Sequence, residues 1–128
     1  MEINIPQNVK HKLEIKVSIK DTAIQYGSGL IEVFATPAMI GLMEGTAQQS
    51  IQQYLPEGAI TLGIEIHAKH IKATPVGMTV YCESTLIKTD GKKLFFELIA
   101  FDEKGEIGSA THTRYVVDAK KFMEKINT

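Results

Sequence analysis

The chain has 128 residues, 44% of them hydrophobic and 23% charged, with a formal net charge of −1. Residues 1–128 are therefore expected to form one domain of a globular protein. So balanced a charge leaves no electrostatic footprint for nucleic acid or an anionic membrane. No apolar run approaches the ~20 residues that span a bilayer, and MEINIPQNVKHKLEIK lacks the apolar segment of a signal peptide. A cytoplasmic protein with neither a nucleic-acid nor a membrane partner is expected. The single Cys82 agrees with this, since it has no intrachain disulfide partner and sits in strand-like surroundings as a small hydrophobe.

Over Lys12 to Ile19, Leu13, Ile15, Val17 and Ile19 alternate with charged or hydroxyl residues, the period-two pattern of a strand with one buried face. DTAIQYGSG follows, and its Gly27, Ser28 and Gly29 favour a loop. Val33 to Leu55 predicts one long helix. It is entered at Thr36-Pro37, where a hydroxyl suits the N-cap and proline the first helical position, and broken by Leu55-Pro56-Glu57-Gly58. Within it, Glu44 falls within roughly 60° of Ile40, Ala47 and Ile51, on the stripe that should face the core. A carboxylate placed there is either structural, satisfied by hydrogen bonds, or a perturbed group of a functional site.

Everything beyond reads as extended. Thr61 to His70 alternates, Thr74-Pro75-Val76-Gly77 interrupts, and Met78 to Lys88 and Lys93 to Asp102 flank an Asp90-Gly91 hairpin signal. Ile107 to Val117 follows the Glu103-Lys104-Gly105 turn, and Ala119 to Ile126 predicts a short helix with Phe122, Met123 and Ile126 on one side. One strand, one long helix and four strands on short turns imply an α+β fold, an antiparallel sheet curling around a single helix, with an edge strand covered by a second subunit. His67 and His70 are three apart, so a regular strand sends them to opposite faces. With Glu65 they make no familiar ligand spacing, and neither a metal nor a cofactor is assigned.

Four segments carry a more specific likeness: VFATPAMIGLMEGTA, LPEGAITLGIEIHAKHIKATPVGM, LIKTDGKKLFFELIAFDEKGEIGSA and THTRYVV. Across about 34–117 the chain resembles the fluoroacetyl-CoA thioesterase family and its acyl-CoA thioesterase relatives. The resemblance implies the hot-dog fold, an antiparallel β-sheet wrapped around one long central α-helix. It also implies hydrolysis of a short or medium acyl-CoA as the small-molecule substrate, by a homodimer or dimer of dimers. It assigns Thr36, Glu44 and His70 as the catalytic set and Gly63 as lining the acyl site. In such a site Glu44 would attack the thioester or activate water, His70 would shuttle a proton, Thr36 would orient the carboxylate, and backbone N–H groups near the helix start would serve the oxyanion.

Each residue has a plainer role available. Thr36 before Pro37 fits an N-cap, Gly63 fits a bulge or a close backbone approach, and His11, His67 and His112 rival His70. Lys69, Lys72, Lys92 and Lys93 are placed to meet CoA phosphates but read equally as solubilising, so none is assigned. Leu30 and Gly27 stand where the family has aromatic lid residues, so selectivity for fluoroacetyl-CoA is not part of the expectation. The architecture also hosts acyl-CoA binders without turnover and hydratases or dehydratases of enoyl or hydroxyacyl thioesters. Finally, eight residues of regular helix would set Thr36 and Glu44 about 12 Å apart along the axis. Either the helix begins later, its first turn is distorted, or one member comes from a partner subunit.

Overall fold

Helix α2 (Thr36–Ile51), continued by a 3-10 turn at Gln52–Tyr54, packs on one face of a five-stranded antiparallel sheet in the computed structural model, which describes residues 1–128. The strands are β1 (Lys10–Lys16), β2 (Ala59–His70), β3 (Thr79–Asp90), β4 (Lys93–Asp102) and β5 (Gly105–Asp118), in the order β1-β3-β4-β5-β2. The sheet therefore has β1 and β2 as its edges. Asp90 and Gly91 turn β3 into β4, with Gly91 at φ +60°, a left-handed conformation that glycine adopts without a Cβ clash.

The core lies between the helix and the inward side chains of the sheet. Met39, Met43, Ala47 and Ile51 of α2 are fully buried against Val80, Cys82, Phe96, Leu98, Ala100 and Val116. Along β4 the period-two pattern is strict, with Leu94, Phe96, Leu98 and Ala100 inside, and burying a side chain such as Phe96 contributes roughly 2–3 kcal/mol. Two hydroxyls on the packed face of α2 bond to the helix's own carbonyls: Thr46 to Leu42 and Ser50 to Ala47, each at 2.7 Å. Burial pushes the Cys82 thiol up to about 11, so it remains a protonated thiol at neutral pH. No helix is long and apolar enough to cross a membrane.

Three local differences from the sequence reading matter. First, β1 stops at Lys16, not Ile19: Ser18 and Asp21 close a capping turn, the Ser18 N–H donating to Asp21 Oδ2 at 2.9 Å. Second, the segment read as a loop contains one turn of helix, α1 (Ala23–Tyr26), ended by Gly27 at φ +70°. Third, Thr36 is the first helical residue and not the cap. Ala35 takes the cap position without a side-chain bond, because the chain entering the helix is fixed by backbone bonds instead: Phe34 N–H to Thr74 O at 2.9 Å and Ala35 N–H to Asp21 O at 2.8 Å. The Thr36 hydroxyl is thereby left free of the helix. The terminal helix α3 (Ala119–Ile126) is capped by Asp118, which accepts from the Lys121 N–H at 3.0 Å.

Candidate active site

The freed hydroxyl meets an imidazole. Thr36, at the N-terminus of α2, lies 2.8 Å through Oγ1 from Nδ1 of His70, the last residue of β2. His70 faces the helix while His67 is 77% exposed on the opposite face, where it approaches Glu65 at 3.8 Å. His70 Nε2 is buried without a hydrogen bond, and the Phe34 ring meets the imidazole edge-on at 6.4 Å between centroids. Burial lowers the His70 pKa, with the Lys72 backbone pulling the other way, so at neutral pH the ring is uncharged and able to take a proton. The pair opens into a cleft of about 330 Å³ walled by Val33, Phe34, Ala35, Ile71 and Ala73.

Glu44 belongs to a second cluster, two turns further along α2. The sequence places it on the core stripe, but it lies at the stripe's border, half-buried, and is not sealed from water. The fully packed face runs through Met39, Met43, Ala47 and Ile51, and Glu44 is flanked by the exposed Gly41 and half-buried Ile40 and Gln48. It points over Gly63 of β2, where a Cβ would sit 2.8 Å from Glu44 Oε2, 3.0 Å from His112 Cε1 and 3.3 Å from Arg114 Nη1. Gly63 thus leaves the space in which a carboxylate, an imidazole and a guanidinium converge. It also adjoins a bulge: the pairing of β2 with β5 shifts between Gly63 and Glu65, turning Ile64 outward to 54% exposure.

Arg114 is only 7% exposed, and no carboxylate lies within ion-pair distance of it; the protein's ion pairs are His67 with Glu65 and Lys72 with Asp102. It is held by neutral groups. Nε donates to Thr61 Oγ1 at 2.8 Å, Nη2 to the Thr61 carbonyl at 3.0 Å, and Nη1 to His112 Nε2 at 3.1 Å. Burial lowers its pKa and the Glu44 charge raises it. Of these three, the sequence offers only His112 as a candidate, as a rival of His70, and points to neither Thr61 nor Arg114. The available signal was parity: His112 and Arg114 fall on the same face of β5 as Ala110 and Val116, so two polar residues occupy inward positions.

Within one chain the two clusters stay apart. On the β5 ladder, Gly63 pairs with Arg114 and His70 with Gly108, six rungs or about 20 Å away at ~3.3 Å per rung. The helix is regular from Thr36, so Glu44 does not reach the Thr36–His70 pair of its own chain. Because a methyl group at Gly63 would collide with flexible side-chain ends and one ring edge, Gly63→Ala should displace Glu44 and Arg114 yet fold with a melting temperature within a few degrees of wild type. A thermal melt checks this.

A long helix laid on a five-stranded antiparallel sheet is the hot-dog fold of the thioesterase superfamily. A hypothetical protein of that superfamily from Thermus thermophilus superposes with a TM-score of 0.89 at 24% identity, covering 97% of this chain and 92% of that one. The fluoroacetyl-CoA-specific thioesterase (FlK) family model matches residues 17–120. The fluoroacetyl-CoA thioesterase of Streptantibioticus cattleyicolor is 41% identical over 95 residues, 74% of this chain and 68% of that protein. A crystal structure of a mutant FlK gives a TM-score of 0.91 at 32% identity, with 98% of each chain covered. Other FlK crystal structures hold fluoroacetate with CoA, or acetyl-CoA. The chain belongs to the fluoroacetyl-CoA-specific thioesterase family, and its class of activity is thioester hydrolysis.

Proposed function

We propose that this protein hydrolyses short or medium acyl-CoA thioesters in a site assembled by two copies of the chain, Thr36 and His70 of one protomer acting with Glu44 of the other. The observation that carries the reading is the placement of the two clusters along β2. Once the bulge is counted, Gly63 and His70 stand three rungs either side of His67, both on the helix-facing side. Antiparallel pairing of two β2 strands about a two-fold axis at His67 would set Gly63 of each copy opposite His70 of the other, with strands ~4.8 Å apart. The edges favour β2 for this pairing. β1 is short and carries Lys10, Lys12 and Lys16, a protected edge, whereas β2 spans twelve residues with Ile64 exposed beside it.

In such a site the Glu44 carboxylate attacks the thioester carbonyl carbon or removes a proton from an attacking water. The carbonyl oxygen gains negative charge, which the N-terminus of α2 beside Thr36 and the guanidinium of Arg114 oppose. The proton that the water gives up ends on the departing thiolate, with His70, uncharged at rest and hydrogen-bonded to Thr36, as its relay. Gly63 gives the acyl group room against the sheet. Leu30, 98% exposed, and Gly27 supply no aromatic closure over the acyl group, which supports acyl groups beyond fluoroacetyl as substrates.

The test is a panel of acyl-CoAs with a thiol-trapping reagent. The reading expects release of free CoA, fastest for short or medium chains. Tight binding with intact thioester after long incubation would instead identify a non-catalytic acyl-CoA module. A change in enoyl absorbance with no free thiol would identify a hydratase or dehydratase.

A further inference from the structure

His112 has no role in the scheme above, yet its two ring nitrogens are fully specified. Nδ1 lies 2.7 Å from the Glu65 backbone carbonyl, which can only accept, so Nδ1 carries the hydrogen. Nε2 lies 3.1 Å from Arg114 Nη1, which can only donate, so Nε2 carries a bare lone pair. Two independent contacts require one and the same form, the neutral Nδ1–H tautomer. The Glu65 carbonyl is available because the bulge beginning at Gly63 displaces this stretch of β2 from regular pairing. The ring itself is 3% exposed.

We infer that His112 is a positioning residue for the thioesterase reaction, a neutral acceptor that aims the Arg114 guanidinium at the space over Gly63, and that protonating it releases Arg114 and switches the site off in acid. This rests on the proposed function for its catalytic consequence. Of the five guanidinium N–H groups, three are engaged: by Thr61 Oγ1, the Thr61 carbonyl and His112 Nε2. Two remain, one on Nη1 and one on Nη2, and Nη1 is the guanidinium atom nearest the vacant Gly63 position, 3.3 Å from it. A proton on His112 Nε2 would place N–H against N–H and cation against cation, removing one of the three anchors.

The groups facing His112 come from every neighbouring element: Arg114 on β5, Glu44 on α2 and the Glu65 carbonyl on β2, while β4 presents only the Phe96 ring, 6.2 Å away. Burial lowers the His112 pKa, the Arg114 charge adds to this, and the Glu65 carbonyl and Glu44 oppose it. At neutral pH the acceptor form is therefore the populated one, and it is lost as the pH falls through the lowered pKa.

Nitrogen-15 NMR of the wild-type protein tests the inference without reference to turnover. At pH 7.5, His112 should show a protonated Nδ1 and a bare Nε2. On acidification the Arg114 Nε–H signal should shift or disappear over the range in which His112 takes its second proton. In His112→Gln, whose amide oxygen reaches the same donor but does not titrate, that signal should persist, and the acid limb of kcat/KM should lose one proton from its slope. A proton on Nε2 at pH 7.5, or an Arg114 signal indifferent to the His112 titration, would overturn the inference. A wild-type protein that cleaves no thioester would instead defeat the proposed function, while the NMR result still decides the link between His112 and Arg114.

Discussion

Glu44→Gln should remove thioester hydrolysis almost entirely, lowering kcat by roughly 10³-fold or more, while the protein stays folded. The substitution keeps the size of the side chain and removes only the charge and the ability to accept a proton or attack a carbonyl. Glu44 is half-buried and accepts no hydrogen bond within its own chain, so no structural bond is broken. The one expected structural effect is electrostatic, because Glu44 is the carboxylate whose charge supports the buried Arg114. Matched thiol-release kinetics and melting curves separate the two. A variant that retained more than about a tenth of wild-type kcat would mean that the carboxylate is not the reacting group.

The largest effect on stability is expected at Asp102. Its carboxylate, 1% exposed, accepts hydrogen bonds from the Lys104 N–H at 2.8 Å, Thr74 Oγ1 at 2.9 Å and Lys72 Nζ at 3.3 Å. These bonds tie the end of β4 to the segment after His70, which in turn binds the chain entering α2 through Phe34 N–H and the Thr74 carbonyl. Asp102→Ala would leave the fully buried Thr74 hydroxyl without its acceptor, and the loss of three bonds to a charged group should cost roughly 3–4 kcal/mol, a drop in melting temperature on the order of 10 °C. Burial alone would raise the Asp102 pKa, but the Lys104 amide, the Thr74 hydroxyl and Lys72 outweigh it and hold the carboxyl below its ordinary range. A carboxylate with a depressed folded-state pKa contributes its stability above its unfolded value near ~3.9 and loses it as the pH falls through the folded value. The deficit of the variant, measured by urea unfolding, should therefore be constant from pH 5 to 8 and shrink in stronger acid. A deficit below about 1 kcal/mol at neutral pH would show that the bonds add little.

Much of this architecture was legible because alternation and helical periodicity are local properties. The Lys93–Asp102 strand and the Ala119–Ile126 helix are observed with the boundaries the pattern predicts. The N-cap reading of Thr36 and the strand end at Ile19 failed for different reasons: at the helix entry long-range backbone bonds replaced a local preference, and at the strand end a local capping turn overrode the alternation. Thr36 is a good cap by type, but Ala35 and Phe34 are fixed by Asp21 and Thr74, and the hydroxyl turned to His70 instead. Alternation continues through Ile19, but the Ser18–Asp21 turn takes the chain out of the sheet. The cluster around Gly63 was only partly legible. Glycine in a strand signals a close approach, but which side chains fill the space depends on β5 lying beside β2, a pairing set by the strand order and not by either segment alone.

A site divided between protomers is tested most directly by mixing two inactive variants. Glu44→Gln and His70→Ala, each purified, should be inactive alone. Unfolded together and refolded in equal amounts, they should form heterodimers in which one site pairs the intact Thr36 and His70 of one protomer with the intact Glu44 of the other, restoring about a quarter of wild-type activity. If each chain instead supplied a whole site, every protomer would carry a defect, and the mixture would stay as inactive as its components.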